Sequence, residues 1–254
     1  MRSTRALAFL GVALATLTAA GTAMADPRLD EVVYSPYVER HELEQETRFA
    51  AELGGRALAG ASTLVLEQEW GVNDRLSLAL VEQVQREPHA NQRLTAVGVE
   101  GRYYLGQIPR LGVDVGLYGE FKRGVGDEGD KTEAKLLLAK TQGRFQGLLN
   151  LIVEEPIGAP RGEGYAAYGY AASATWRVAG PVRLGAEAFG DFGDDRRLGG
   201  RQGAYAGPQI KIAGRPHGWP VELSLDAGWL AAMGPARDEA PGQVRAALEI
   251  SRRF

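Results

Sequence analysis

Polar and apolar side chains alternate along nearly the whole chain, most plainly at its end. From Gln243 onward, Val244, Ala246, Leu248, Ile250 and Phe254 share one parity, while Arg245, Ala247, Glu249, Ser251 and Arg253 share the other. A period of two over that length predicts a strand with one apolar and one polar face. The same test predicts eleven earlier strands, near 32–49, 63–70, 76–85, 93–105, 111–122, 132–141, 145–154, 165–178, 182–192, 204–213 and 221–232. The first is the most polar, with Glu42, Glu44, Glu46 and Arg48 opposite Leu43, Gln45, Thr47 and Phe49. In the fourth, Thr95, Val97, Val99, Tyr103 and Leu105 oppose Glu100, Arg102 and Tyr104. Pro208 falls in mid-strand, where it removes a ladder hydrogen bond, and predicts a bulge or a shifted boundary.

The breaks alternate between short and long. Tight Gly-bearing turns such as Gly71-Val72-Asn73-Asp74 and Gln142-Gly143-Arg144 take turns with longer charged breaks such as 86–92, 123–131 and 193–203. A soluble sandwich has no reason to keep loop length in phase with strand parity. A membrane barrel does: tight turns on one side, long loops on the other, and an even strand number that returns both ends to one side. Strands of nine to twelve residues suit a tilted crossing and exceed the ~5 to 6 usual in globular sheets. The apolar faces carry almost no charge, which in mid-bilayer would cost about 2–4 kcal/mol per Lys or Arg. Trp70, Tyr103, Trp176, Trp229 and Phe254 lie on those faces, as interfacial girdles would. The expected fold is therefore all-β, a transmembrane antiparallel up-and-down β-barrel of about 12 strands. The status of 55–61, loop or strand end, moves the count between ten and twelve.

Composition narrows the class further. With 24% charged residues and 34 glycines the chain is no helical membrane protein. A net charge of -3 without a Lys/Arg cluster gives no reason to expect nucleic acid as a partner. There is no cysteine, which removes disulfides, thiol catalysis and Cys-based metal sites. Arg2 and Arg5 precede an apolar run from Ala6 to Ala20, followed by Ala23-Met24-Ala25. That is the pattern of a secretory signal peptide, residues 1–25, cleaved after Ala25 to leave a barrel domain over 26–254. The run is too short to span a bilayer, which takes about 20 residues.

The inward parity carries the candidate functional residues: Glu67, Glu69, Glu100, Arg102, Asp114, Glu120, Lys122, Arg183, Glu187, Lys211, Glu222, Asp226, Arg245 and Glu249. Both signs are interleaved, so neighbouring strands are expected to pair them into ladders. They fit either the wall of a narrow pore or a closed, salt-bridged lumen in a structural or partner-binding barrel. Enzyme chemistry is not expected, nor a cofactor or metal. Of the three histidines, His41 is followed by Glu-Leu, His89 by Ala-Asn and His217 by Gly-Trp. None forms the His-x-Ser motif of outer-membrane phospholipases, which leaves a lipid-modifying barrel as the least favoured alternative.

Two stretches resemble known families. The terminal QVRAALEISRRF resembles the C-terminal strand signal of Gram-negative outer-membrane barrels, which ends in Phe and is read by the barrel-assembly machinery. The run from Trp70 through Leu78, WGVNDRLSL, is similar to an aromatic-Gly-x-x-Asp-Arg-Leu-x-Leu hairpin. That hairpin recurs in the outer-membrane transporter-like barrel group associated with a meta-pathway of phenol degradation. The resemblance implies outer-membrane lipid and the assembly machinery as partners, Phe254 as the assembly signal, and passage of small or hydrophobic solutes.

Overall fold

A computed structural model of the chain describes residues 27–54, 58, 60–158, 165–199 and 203–254. The expected signal peptide and cleavage site lie outside the described residues, as do 55–57 and 59. A four-residue helix, α1 (Pro27–Asp30), leads into an extended segment that reaches Tyr37. The wall follows: β1 (Glu42–Leu53), β2 (Ser62–Gly71), β3 (Leu76–Arg86), β4 (Arg93–Ile108), β5 (Val113–Gly124), β6 (Asp130–Gln142), β7 (Phe145–Ile157), β8 (Ala167–Ala179) and β9 (Val182–Asp194). A two-residue strand, β10 (Arg197–Leu198), folds back on the end of β9. Then come β11 (Ala204–Gly214), β12 (Glu222–Met233), a short α2 (Ala236–Glu239) and β13 (Gly242–Arg253).

Twelve of these strands form a closed ring. Each pairs antiparallel with its neighbours, β9 pairs with β11, and β13 pairs with β1 from Glu42↔Arg253 to Leu53↔Gly242. Closure removes every free edge, the condition for β structure in lipid. Tight turns gather at the end where β1 starts and β13 stops, with 215–221 as a longer exception, and the other connections gather at the opposite end. The turn from Trp70 shows the local cause: the Asn73 side chain accepts from the Arg75 and Leu76 amides at 2.8 and 3.0 Å, which fixes Trp70 opposite Leu78.

The faces sort as expected. Leu80, Val99, Leu117, Trp176, Trp229 and Leu248 point outward and are exposed, while Glu67, Glu100, Lys122 and Lys135 are buried inside. An exposed apolar belt around a polar interior defines the transmembrane β-barrel class.

Three details differ from the sequence reading. The first strand begins at Glu42, not near Val32; residues 31–37 turn back into the lumen. Thr95 is not on the outer face. Gln83 and Val84 pair with Ala96 and Leu94, so Thr95 is the extra residue of a β-bulge, and Leu94 takes the outward position. The Thr95 hydroxyl donates to the Gln83 carbonyl at 3.2 Å. Pro208 causes neither a bulge nor a boundary: its pairing with β9 is continuous, and the ladder to β12 skips Gly207 and Pro208, then resumes in the same register.

Leu80, 62% exposed on the belt, gives the direct check of the membrane face. Leu80→Arg is expected to destabilise the barrel by about 2–4 kcal/mol in equilibrium unfolding from lipid vesicles. A soluble barrel would lose almost nothing.

Candidate functional site: a plugged lumen

The segment from Leu29 to Tyr37 runs through the barrel interior and touches most of its wall. Leu29 packs with Ala50 and Ala61 near the long-loop end, and Val32 with Tyr118 and Leu137. Val33 packs on an apolar patch that includes Phe189, Tyr205 and Leu230. Tyr37 donates to Asp114 at 2.9 Å near the tight-turn end. The chain then turns sharply at His41, whose φ is 58°, and enters β1.

Tyr34 is the centre of this plug. Its amide donates to Asn150 Oδ1 at 2.7 Å, and its carbonyl accepts from Asn150 Nδ2 at 2.9 Å. One buried side-chain amide thus satisfies both main-chain groups of a residue that has no sheet partner. The phenol oxygen lies 3.2 Å from both Glu67 and Glu100 and accepts from Arg48 at 2.8 Å. The ring stacks on Tyr118 at 4.8 Å, with the Lys135 ammonium 4.8 Å from each ring. Two residues on, Pro36 passes so close to β5 that a Cβ on Gly116 would meet its ring at 2.8 Å.

The charges of β4 to β7 are banded. Glu100, Glu120, Glu133 and Glu154 sit directly opposite one another across four strands. Like charges in register repel. Relief comes along the strands, diagonally between neighbouring strands and from the plug, not from residues directly opposite one another. Lys122 pairs with Glu120 at 3.1 Å, Lys135 with Glu133 at 3.0 Å, and Lys131 with Glu154 at 2.8 Å. Asp30 reaches Lys122 and Lys131 at 3.4 and 3.5 Å, and Glu31 pairs with Lys135. Arg48 bridges Glu67 at 2.8 Å and Glu46 at 3.1 Å; Arg102 pairs with Glu69 and donates to the Ser35 carbonyl.

The structure therefore divides the fourteen candidate residues. Glu67, Glu69, Glu100, Arg102, Asp114, Glu120 and Lys122 stand around the plug. Glu187, Lys211, Glu222, Asp226, Arg245 and Glu249, with Glu67 and Arg102 of the first group, line a cavity of about 340 Å³ between the plug and the wall, mainly from β8 through β13 to β1. Arg183 lies at the tight-turn mouth, where it donates to Thr175 at 2.9 Å. Phe254 is exposed on the outside and stacks against His41 at 6.0 Å. Sequence reasoning missed the plug residues Asp30, Glu31, Tyr34 and Tyr37, and with them Asn150. Pro36 was the available signal, since it falls inside a strand that would also have been eighteen residues long. Among the described residues, no group of three or more His, Asp or Glu could hold a metal.

The fold is similar to that of the COG4313 outer membrane channel from Pseudomonas putida F1, at 12% identity over 88% of this chain and 100% of that one, with a TM-score of 0.59. LpxR from Salmonella typhimurium aligns at 11% identity over 83% of this chain and 100% of its own, with a TM-score of 0.46. Omp33, an outer membrane protein from Acinetobacter baumannii, aligns at 12% over 85% and 100%, with a TM-score of 0.41. At such identities the likeness is one of fold, and it rests on the first of these. No protein-family model and no curated protein matches the chain.

Asn150→Ala tests the plug, because it leaves a buried amide and carbonyl of Tyr34 unpaired, each costing about 1–3 kcal/mol. The chain has no cysteine, so Val33→Cys gives a single reporter. Thiol labelling of that reporter in the folded barrel is expected to speed up about tenfold or more when Asn150→Ala is added. Equal labelling rates would mean that Asn150 does not hold the segment.

Proposed function

We propose that the protein is a bacterial outer-membrane channel that passes small solutes beside its plug and performs no chemistry of its own. The observation that carries this reading is the half-filled lumen. The plug is bound tightly to β4–β7, while the cavity of about 340 Å³ stays open along the other side, lined from Leu29 down to Arg253 at the tight-turn end. A barrel serving as an anchor gains nothing from an unfilled interior, whereas a passage needs one.

Residence in the outer membrane is supported by the closed ring, the apolar belt and the loop rhythm. Phe254 and the alternating β13 fit recognition by the assembly machinery, with membrane lipid around the belt. Passage of hydrophobic compounds is the finer reading that the WGVNDRLSL hairpin adds; the polar lining of the cavity favours small polar or amphipathic solutes. The absence of catalysis is favoured by the placement of the histidines. His41 and His217 lie in turns at one end and His89 in a loop at the other, outside the lumenal network.

In planar bilayers the wild type is expected to give a small, steady conductance. A variant lacking residues 27–37 is expected to conduct several-fold more, since the plug occupies the lumen on the β4–β7 side. A barrel that is folded but silent in both forms would defeat the channel reading.

A further inference from the structure

The open half of the lumen has a feature that a neutral passage does not need. Three adjacent strands place glycines on the inward parity, Gly185, Gly207 and Gly228. Beside them stands Glu187, 92% buried by its 8% exposure. One of its carboxylate oxygens lies over Gly228, in the space that a side chain at that position would fill.

What surrounds Glu187 is a hydrogen-bonded frame, with Lys211 and Arg245 lining the same cavity but outside ion-pair distance. Gln209, itself buried, accepts from the Ser173 hydroxyl at 2.7 Å and donates to Asp226 at 2.7 Å and to Glu187 at 3.4 Å. One neutral amide thus aims two carboxylates at the same cavity. Among the described residues, no Lys or Arg comes within ion-pair distance of Glu187. Arg245 is committed elsewhere: it donates to the Glu31 carbonyl of the plug and lies 3.8 Å from the Phe189 ring centre. Lys211 is the register partner of Asp226 on the neighbouring strand but makes no ion pair with either carboxylate. On the other side of the plug Glu67, Glu120, Glu133 and Glu154 each have a basic partner at 2.8 to 3.1 Å, while Glu100 is held by the Tyr34 hydroxyl.

A buried carboxylate without a partner cation is costly, and here it faces a space of about 340 Å³, within the range of small-ligand pockets. We propose that Glu187 and Asp226, framed by Gln209, form a binding site for a small organic cation: a primary ammonium on a compact, partly apolar body. The ammonium supplies a counter-charge in direct contact, and its three N–H donors match two ionised carboxylates. The site rests on the channel reading for its role in transport, since it makes the passage select for positive solutes. Binding itself requires no conduction.

Isothermal titration calorimetry on the full-length mature barrel in detergent micelles separates the two claims. The probes are benzylammonium, benzoate and benzyl alcohol, which share a ring and differ in charge. Benzylammonium is expected to bind, and benzoate and benzyl alcohol are expected not to. Glu187→Gln and Asp226→Asn are each expected to weaken benzylammonium about tenfold or more, the effect of removing one charged partner from a desolvated pair. Glu155→Gln, on an exposed part of β7, is expected to leave it unchanged. Retained heat-modifiable gel mobility shows that each variant is folded, and Asp226→Asn carries the test if Glu187→Gln does not fold. Equal binding of benzoate, or an unchanged affinity in a folded variant of Glu187 or Asp226, overturns the site. Benzylammonium binding in a barrel that is silent in bilayers keeps the site and defeats the channel. Conduction without benzylammonium binding does the reverse.

Discussion

The constraint on which the structure depends is that a closed β-wall in an apolar solvent can put its charges only inward. Lipid excludes them from one parity of every strand, so they accumulate on the other. In the confined lumen each charge must then be matched, because opposite charges attract and like charges repel more strongly than in water. The row from Glu100 to Glu154 shows how demanding that becomes when four strands put carboxylates in register. Lysines two positions along the strands answer part of it. The plug answers the rest, with Asp30 and Glu31 placed among those lysines and the Tyr34 phenol between Glu67, Glu100 and Arg48.

The result is a lumen of two characters. From β4 to β7 the plug, the wall and their ion pairs form a nearly solid body. From β8 round to β13 the interior is lined by smaller groups, and Glu187 and Asp226 are held by the Gln209 amide rather than by an ion pair. Selectivity in a barrel is set by what lines its narrowest open path. The plug therefore acts twice. It fills the side it binds, and it leaves the open space of the lumen on the other.

Much of the wall was legible in the sequence because strand parity is a one-residue code. Leu117 and Tyr118, or Leu151 and Asn150, could be placed on opposite faces from alternation alone. Loop rhythm gave the ring and its even count for a similarly local reason. What failed was whatever depended on contacts far apart in the chain. Alternation cannot distinguish a segment that pairs in the wall from one that lies against its inside, and 32–49 contains both kinds. It also cannot see a bulge, so Thr95 was placed on the wrong face. Registers across strands were equally out of reach: Glu100 and Glu120 each look well mixed with opposite charge along their own strands, yet they face each other. Only Pro36 marked the plug, and a proline says that a strand is interrupted without saying where the chain goes instead.

The threaded segment also constrains how the molecule can be put together. β1 and β13 make the seam of the ring, joining 42–53 to 242–253, while the segment just before β1 lies inside it. Glu31 meets Arg245, 214 positions away, on the last strand. Once the seam has closed, a chain bearing Tyr34 and two carboxylates would have to be pulled past the matched charges of β4 to β7. The simpler order has the oldest part of the chain settle first on the lysine-bearing face of the unfinished, still curved sheet. The remaining strands then wrap around it, as a mould closes on its core. On that view the segment is a former for the barrel as much as a stopper within it.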